Sequence, residues 1–389
     1  MSYHLPARFA ATDMRKNSKP TAADPSVTIK DIADYLGISH STVSRALSDH
    51  PYTNAETKAK VRQAVEKLGY VPNAAARSLR SDKGSMVGLI LPDIHNELFA
   101  VTAQIVSHRC LKSGIPMVLA VSEDDSSAEL SHVMALRQAR ALGIILTPTP
   151  GLLEKTAGLL HSVPLVQYSR RHPRLSAPSV SVDGERGVLV ATQHLLQIGH
   201  RRIAYVGMET DKSTGAERLS GFLKAYDLAG LRSDAALRRL GPSHSDFARA
   251  AVTSVLALPN PPTALLLGSN ALTVGALKAL RHAGLETPRD ISLIGWGDAS
   301  WYSLWRPGIT TIGMPTVEMA EAAASLLMRQ LAGERHITEG RSGHVAIEPT
   351  FVLRETTAPL AVSRGSRKIS GRRGRSAQRK TASLSRASS

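Results

Sequence analysis

The sequence predicts an all-α helix-turn-helix headpiece and hinge helix, followed by a two-lobed α/β domain with parallel, doubly wound sheets. Three observations carry that expectation. Capping signals and apolar spacing mark three short helices between Thr28 and Gly69. Beyond residue 84, short apolar runs alternate with helix-length stretches, the rhythm of parallel strands joined by crossover helices. That alternation occurs in two successive sets, and the 389 residues exceed what one core usually supports.

Residues 1–26 mix small and polar side chains without periodicity and read as a disordered arm. Thr28 and Asp31 have capping-box spacing, and Ile29, Ile32, Ala33 and Leu36 recur at helical intervals up to Gly37. Ser39 can cap a second helix running to about Leu47. Thr53 and Glu56 suggest a further capping box, opening a third helix with Val61, Val65 and Leu68 inward and Gly69 closing it. The helix-turn-helix unit is therefore bounded at 27–72, with a short Ala-rich hinge helix and linker at 73–84.

Within 85–360, strands are expected at Met86–Leu91, Met117–Ala120, Gly143–Leu146 and Pro164–Gln167. The second set is Arg202–Val206, Ala264–Leu267 and Ser292–Gly295. Helices are expected near 97–113, 126–141, 151–161, 185–198, 215–229, 246–257 and 271–283. Any ligand of such lobes binds at the carboxyl ends of the strands, in the cleft.

The formal net charge of +16 suggests a polyanionic partner, but nine Lys/Arg and no acid lie in the Ser/Gly-rich stretch 361–389. More than half of the excess thus belongs to a segment that reads as a disordered basic tail, so charge alone says little about DNA. No apolar stretch is long enough to span a membrane, and the N-terminus lacks a signal-peptide core, which implies a cytoplasmic protein. A lone Cys110 and scattered histidines exclude a disulfide and give no metal-ligand spacing, so no metal and no cofactor are expected. Walker, GxGxxG, HExxH and GxSxG motifs are lacking, which speaks against an enzyme.

In a helix-turn-helix the N-terminal residues of the second helix reach base edges in the major groove. Here these are His40, Ser41, Thr42, Ser44 and Arg45, with no acidic residue from Tyr35 to Ser48 to oppose phosphate. Thr28 and Ser39, at the starts of the two helices, complete the candidate contacts of the headpiece.

The run Thr28–Ser39, continuing through Ser41–Leu47, closely resembles the signature of the lactose/purine repressor family of bacterial transcriptional regulators. Gly69–Leu79 resembles that family's hinge. The likeness continues through Val182-Asp183, Gly199–Ala204, Arg218–Phe222 and Thr310–Ile312, and ends at Arg354–Pro359. The resemblance implies a periplasmic-binding-protein-like regulatory domain, a homodimer on a palindromic DNA operator, and a small-molecule effector that releases it. His40, Ser41 and Arg45 then read bases. Asn73, Ala76 and Leu79 belong to the hinge, with Leu79 as a minor-groove wedge.

For the effector the resemblance points to Phe99, Arg218 and the loops after the strands. Three departures stand out: Ser169-Arg170 where relatives often have Asp, Ser269-Asn270 for an Asn-Asp pair, and Gly297-Asp298 for paired acids. Fewer carboxylates and an added arginine suggest an anionic effector such as a sugar acid. Trp301 or Trp305 is expected to supply an apolar wall. A transporter's solute-binding protein shares the two-lobe architecture, but would lack the helix-turn-helix.

Overall fold

The computed structural model describes residues 27–48, 51–70, 86–334 and 343–360. The chain divides into two compact units, one up to Gly84 and one from Ser85 onward.

The first unit is built from three helices, α1 (Ile29–Leu36), α2 (His40–Leu47) and α3 (Ala55–Leu68). The capping box at the start of α1 is formed: Thr28 and Asp31 satisfy each other's backbone N–H groups. Gly37 ends α1 at φ 64°, a left-handed conformation that a side chain would strain, and so sets the tight turn into α2. One local expectation is corrected. The cap of α3 is Asn54, whose Oδ1 accepts from the Thr57 N–H at 2.8 Å, rather than Thr53. Asn and Thr both cap well, and the chain enters the helix one residue later than the Thr53–Glu56 spacing suggests. Ile32, Ala33, Val43, Ala46, Val61, Ala64 and Tyr70 form the core, with Leu36, Ile38, Leu47 and Leu68 packed around it.

The second unit contains two six-stranded sheets, one per lobe. Its first-lobe elements are β1 (Val87–Leu91), α4 (Glu97–Lys112), β2 (Met117–Val121), α5 (Ser126–Gln138), β3 (Gly143–Leu146), α6 (Glu154–Leu160), β4 (Leu165–Tyr168) and β5 (Ser179–Val182). The chain then enters the second lobe: α7 (Gly184–Gln197), β6 (Ile203–Met208), α8 (Ser213–Leu228), β7 (Arg238–Gly241), α9 (Ser245–Leu256), β8 (Ala264–Leu267), α10 (Asn270–Ala283), β9 (Ser292–Trp296) and β10 (Thr310–Gly313). It returns with α11 (Thr316–Leu331), which packs on α4 and the first sheet, and with β11 (His344–Ile347). Finally it crosses back as β12 (Thr350–Val352).

The first sheet runs β11-β5-β4-β3-β1-β2, wholly parallel, and the second runs β12-β10-β9-β8-β6-β7, with only β12 antiparallel. The central strands β1, β3, β4, β6, β8 and β9 are buried end to end, as parallel strands covered on both faces must be. The edge strand β2 differs: Val118 and Leu119 are each 40% exposed. Strands β5, β7, β10, β11 and β12 and helix α11 were not anticipated, and the strands among them are too short or too polar to form an apolar run. No helix among the described residues is long and apolar enough to cross a membrane.

Candidate functional site

Helix α2 presents one face outward. Val43 and Ala46 are buried, whereas His40, Ser41 and Arg45 are exposed, and Thr42 and Ser44 are half-buried. The Ser39 hydroxyl accepts from the Thr42 N–H at 3.1 Å and lies 2.8 Å from the hydroxyls of both Ser41 and Thr42. Ser39 and Thr42 therefore organise the helix start, as Thr28 does for α1, while His40, Ser41 and Arg45 form the outward surface. Arg45 arches back so that Nε donates to the Ser41 carbonyl at 3.3 Å, leaving an extended cationic edge in solvent. Asn73, Ala76 and Leu79 lie outside the described residues.

In the second unit, a cavity of about 250 Å³ opens between the lobes at the carboxyl ends of β1, β4, β6, β8 and β9. Eight of the nine residues expected there line it. Phe99, from α4, and Ser169 and Arg170, after β4, come from the first lobe. Arg218, Ser269, Asn270, Gly297 and Asp298 come from the second.

Each is held in a defined way. Ser269 caps α10 and bonds Ser243 Oγ at 2.7 Å, which places Asn270 on the first helical turn at the cavity. Gly297 has φ 75°, a left-handed turn that lets the chain double back from β9 across the cleft. Asp298 grips Arg354 with both oxygens, at 2.7 and 2.9 Å, so its charge is already met within the second lobe.

Trp301 is the correction. Its ring packs edge-on against Tyr302 at 4.6 Å and near Trp305 at 6.0 Å, over the second-lobe core, and it does not line the cavity. The short 3₁₀ turn Ser300–Tyr302 carries it away from the strand end. Trp296, the last residue of β9, supplies the aromatic wall instead. Its position directly before Gly297-Asp298 at a strand's carboxyl end was the available sequence signal.

Arg218 dominates the electrostatics. Only 5% exposed, it donates Nη1 to the Gly268 carbonyl at 2.5 Å and stacks its guanidinium 3.5 Å from the Trp296 ring centroid. Burial pulls its pKa down to about 10, so it remains cationic at neutral pH. Its Nε and the hydroxyl of neighbouring Thr214 have no hydrogen-bond partner among the described residues. Of the residues that carry such unpartnered buried atoms, Thr214 and Arg218 are the two that line this cavity. A further opening of about 330 Å³ on the first lobe lacks that signature. There Arg174 and Gln330 already donate to the Leu152 and Leu165 carbonyls, and no orphaned buried atom lines the wall.

Comparison with known proteins adds to this geometry. Residues 28–73 match the profile of bacterial regulatory proteins, lacI family, and residues 192–357 match that of the periplasmic binding protein-like domain. The HTH-type transcriptional regulator RegA of Clostridium saccharobutylicum is 29% identical over 333 residues, covering 85% of this chain and 99% of that protein. The HTH-type transcriptional repressor PurR of Pectobacterium carotovorum is 29% identical over 338 residues, covering 85% and 97% respectively. In fold the chain is similar to the Lac repressor dimer bound to operator and the anti-inducer ONPF, with a TM-score of 0.75 at 23% identity, covering 85% of this chain and 99% of that one.

Proposed function

The chain belongs to the lacI family of bacterial regulatory proteins, a DNA-binding transcriptional repressor with an effector-binding domain and not an enzyme, and we propose that it acts as a cytoplasmic homodimer on a palindromic operator, released by an anionic small molecule. His40, Ser41 and Arg45 read bases in the major groove, with Thr28, Ser39, Thr42 and Ser44 positioning them against the backbone. Asn73, Ala76 and Leu79 belong to the hinge, where Leu79 wedges into the minor groove at the operator centre.

The observation that carries the effector reading is Arg218, a buried cation whose Nε faces no acceptor beside an equally unpartnered Thr214 hydroxyl. A cation in the wall of a cleft favours a carboxylate or phosphate, since charge-assisted bonds to arginine are the strong ones. A ligand bridging the lobes biases their relative orientation, and in a dimer that changes the spacing of the two DNA-reading units. The dimer surface is read from the first lobe. Edge strand β2 leaves a ladder edge with Val118 and Leu119 exposed, and Leu111 of α4 is 72% exposed, an apolar combination that a second copy covers.

Two measurements test this reading. Retention on a palindromic operator should fall steeply with salt, and Arg45→Ala should weaken it by about 1–3 kcal/mol if Arg45 pairs with a base. A calorimetric screen of the full chain should find sugar acids binding and neutral sugars inert; the reverse pattern sinks the anionic assignment.

A further inference from the structure

Behind the wall of the cleft, four charged side chains join the two lobes. Asp124, in the turn between β2 and α5, takes both terminal nitrogens of Arg170, Nη1 in a short contact and Nη2 at 3.2 Å. Lys212, at the start of α8 in the second lobe, reaches the same carboxylate at 3.5 Å and Glu209 at 3.8 Å. The two cations are largely closed to solvent, Lys212 9% and Arg170 13% exposed, whereas Asp124 is 30% and Glu209 46% exposed. A second bridge runs beside it: Arg171 pairs with Glu217 at 2.6 Å, and its N–H donates to Ser213 Oγ at 3.1 Å.

The backbone is left-handed on both sides of the Asp124–Arg170 contact. Among the described residues, four non-glycine positions have left-handed φ, and three of them, Glu123, Asp124 and Ser169, flank this one pair. Each costs on the order of 1 kcal/mol or more, which the surrounding structure must offset.

Arg170 lines the cavity together with Arg218, close enough that its charge disfavours the charge on Arg218. The neighbouring carboxyl of Glu129 is turned away, accepting from Thr149 N and Oγ1 at 2.8 and 3.0 Å. Asp124 is thus the carboxylate that neutralises Arg170, and it does so with the same two-pronged geometry that an anionic ligand uses.

We propose that Asp124 is the resident counter-ion of the cleft: it holds Arg170 and, through Lys212, the opposite lobe, and an entering anion competes with it for Arg170. This rests on the anionic reading of the cleft given above and adds a regulatory term to it. The site tolerates an internal anion and exchanges it only for a stronger one, so ligands with a weak or single acceptor are rejected. Exchange also leaves Asp124 to Lys212 alone, so the link between the lobes is redistributed as a ligand bridge forms.

The test is calorimetric titration of the full-length protein with gluconate, inorganic phosphate and glucose, on the native sequence, D124N, R170Q and D124N/R170Q. Asp124→Asn keeps shape and removes charge, and thermal melting checks that each variant folds. D124N should bind gluconate or phosphate roughly tenfold tighter or more, the scale on which one close charge shifts an ionic equilibrium, with glucose unmoved. The double variant should lose that gain. If the anions bind the native protein and D124N binds them no tighter, or if the double variant keeps the gain, the counter-ion role is overturned while the anionic cleft stands. If anions bind neither protein, both readings fall together.

Discussion

Arg218 carries a cation into a nearly solvent-free wall with one carbonyl, one indole face and the nearby Glu217 carboxylate for company. Burying a charge without a full set of partners is costly, and removing it can stabilise a protein. Arg218→Met keeps the apolar stem and removes the charge, at the loss of the guanidinium stacked on Trp296. We expect it to raise stability by roughly 1–2 kcal/mol, the scale of one unsatisfied buried group, while abolishing anion binding. Denaturant unfolding and calorimetry on the same variant check both halves. His200 makes the complementary case. Its Nδ1 lies 2.8 Å from Thr263 Oγ1, and its Nε2 lies 3.0 Å from Ser292 Oγ and 3.1 Å from the Ala358 carbonyl, so the ring ties the segment at Ala358 to the second sheet. Burial lowers its pKa below the ordinary 6.5, and the same cause lowers His194 and His344. The unfolded chain therefore binds more protons as the pH drops through about 6.5, and folding stability falls with it. The denaturant midpoint should be lower at pH 5.5 than at pH 7.5, and His200→Gln should flatten that slope.

At the level of elements, the cap of α3 offers a sharp check. Asn54→Ala should cost about 1 kcal/mol and speed amide exchange across Ala55–Lys58, whereas Thr53→Ala should leave exchange there unchanged. The same place shows what local sequence conveys. Helix existence was legible from apolar spacing, and so were the caps of α1 and α2, but adjacent Thr53 and Asn54 are chemically equivalent caps until the chain direction is known. Strands β3 and β8 were legible to the residue, because Gly143–Leu146 and Ala264–Leu267 are buried on both faces and read as unbroken apolar runs. Strands β5, β10 and β12 (SVSV, TTIG, TFV) carry too little hydrophobicity to announce themselves and form only because a neighbouring edge offers hydrogen bonds. Helix α11 was missed although Met319, Ala323 and Leu327 stand at i, i+4 and i+8, all buried. Eight cleft positions followed from the resemblance to the lactose/purine repressor family, carried over residue by residue. The pairing of Arg170 with Asp124 did not, since 46 residues separate the partners and only the folded sheet brings them together.

For the whole molecule, the dimer proposal predicts a mass change. Replacing Val118 and Leu119 with lysine should give a monomer in sedimentation velocity and weaken operator retention while leaving calorimetric anion binding in place. The order in which the chain builds its two lobes has its own consequence. The edge strands β11 and β12, which complete the first and second sheets, both come from residues 344–352, and Thr356 then seals the second lobe by bonding the Leu293 carbonyl and the Thr310 N–H, each at 2.8 Å. A growing polypeptide thus cannot finish either lobe until nearly all of the second unit has left the ribosome. Both lobes should mature together and after synthesis, and a nascent chain arrested before His344 should be protease-sensitive in both halves, where independent co-translational folding would leave the first half resistant.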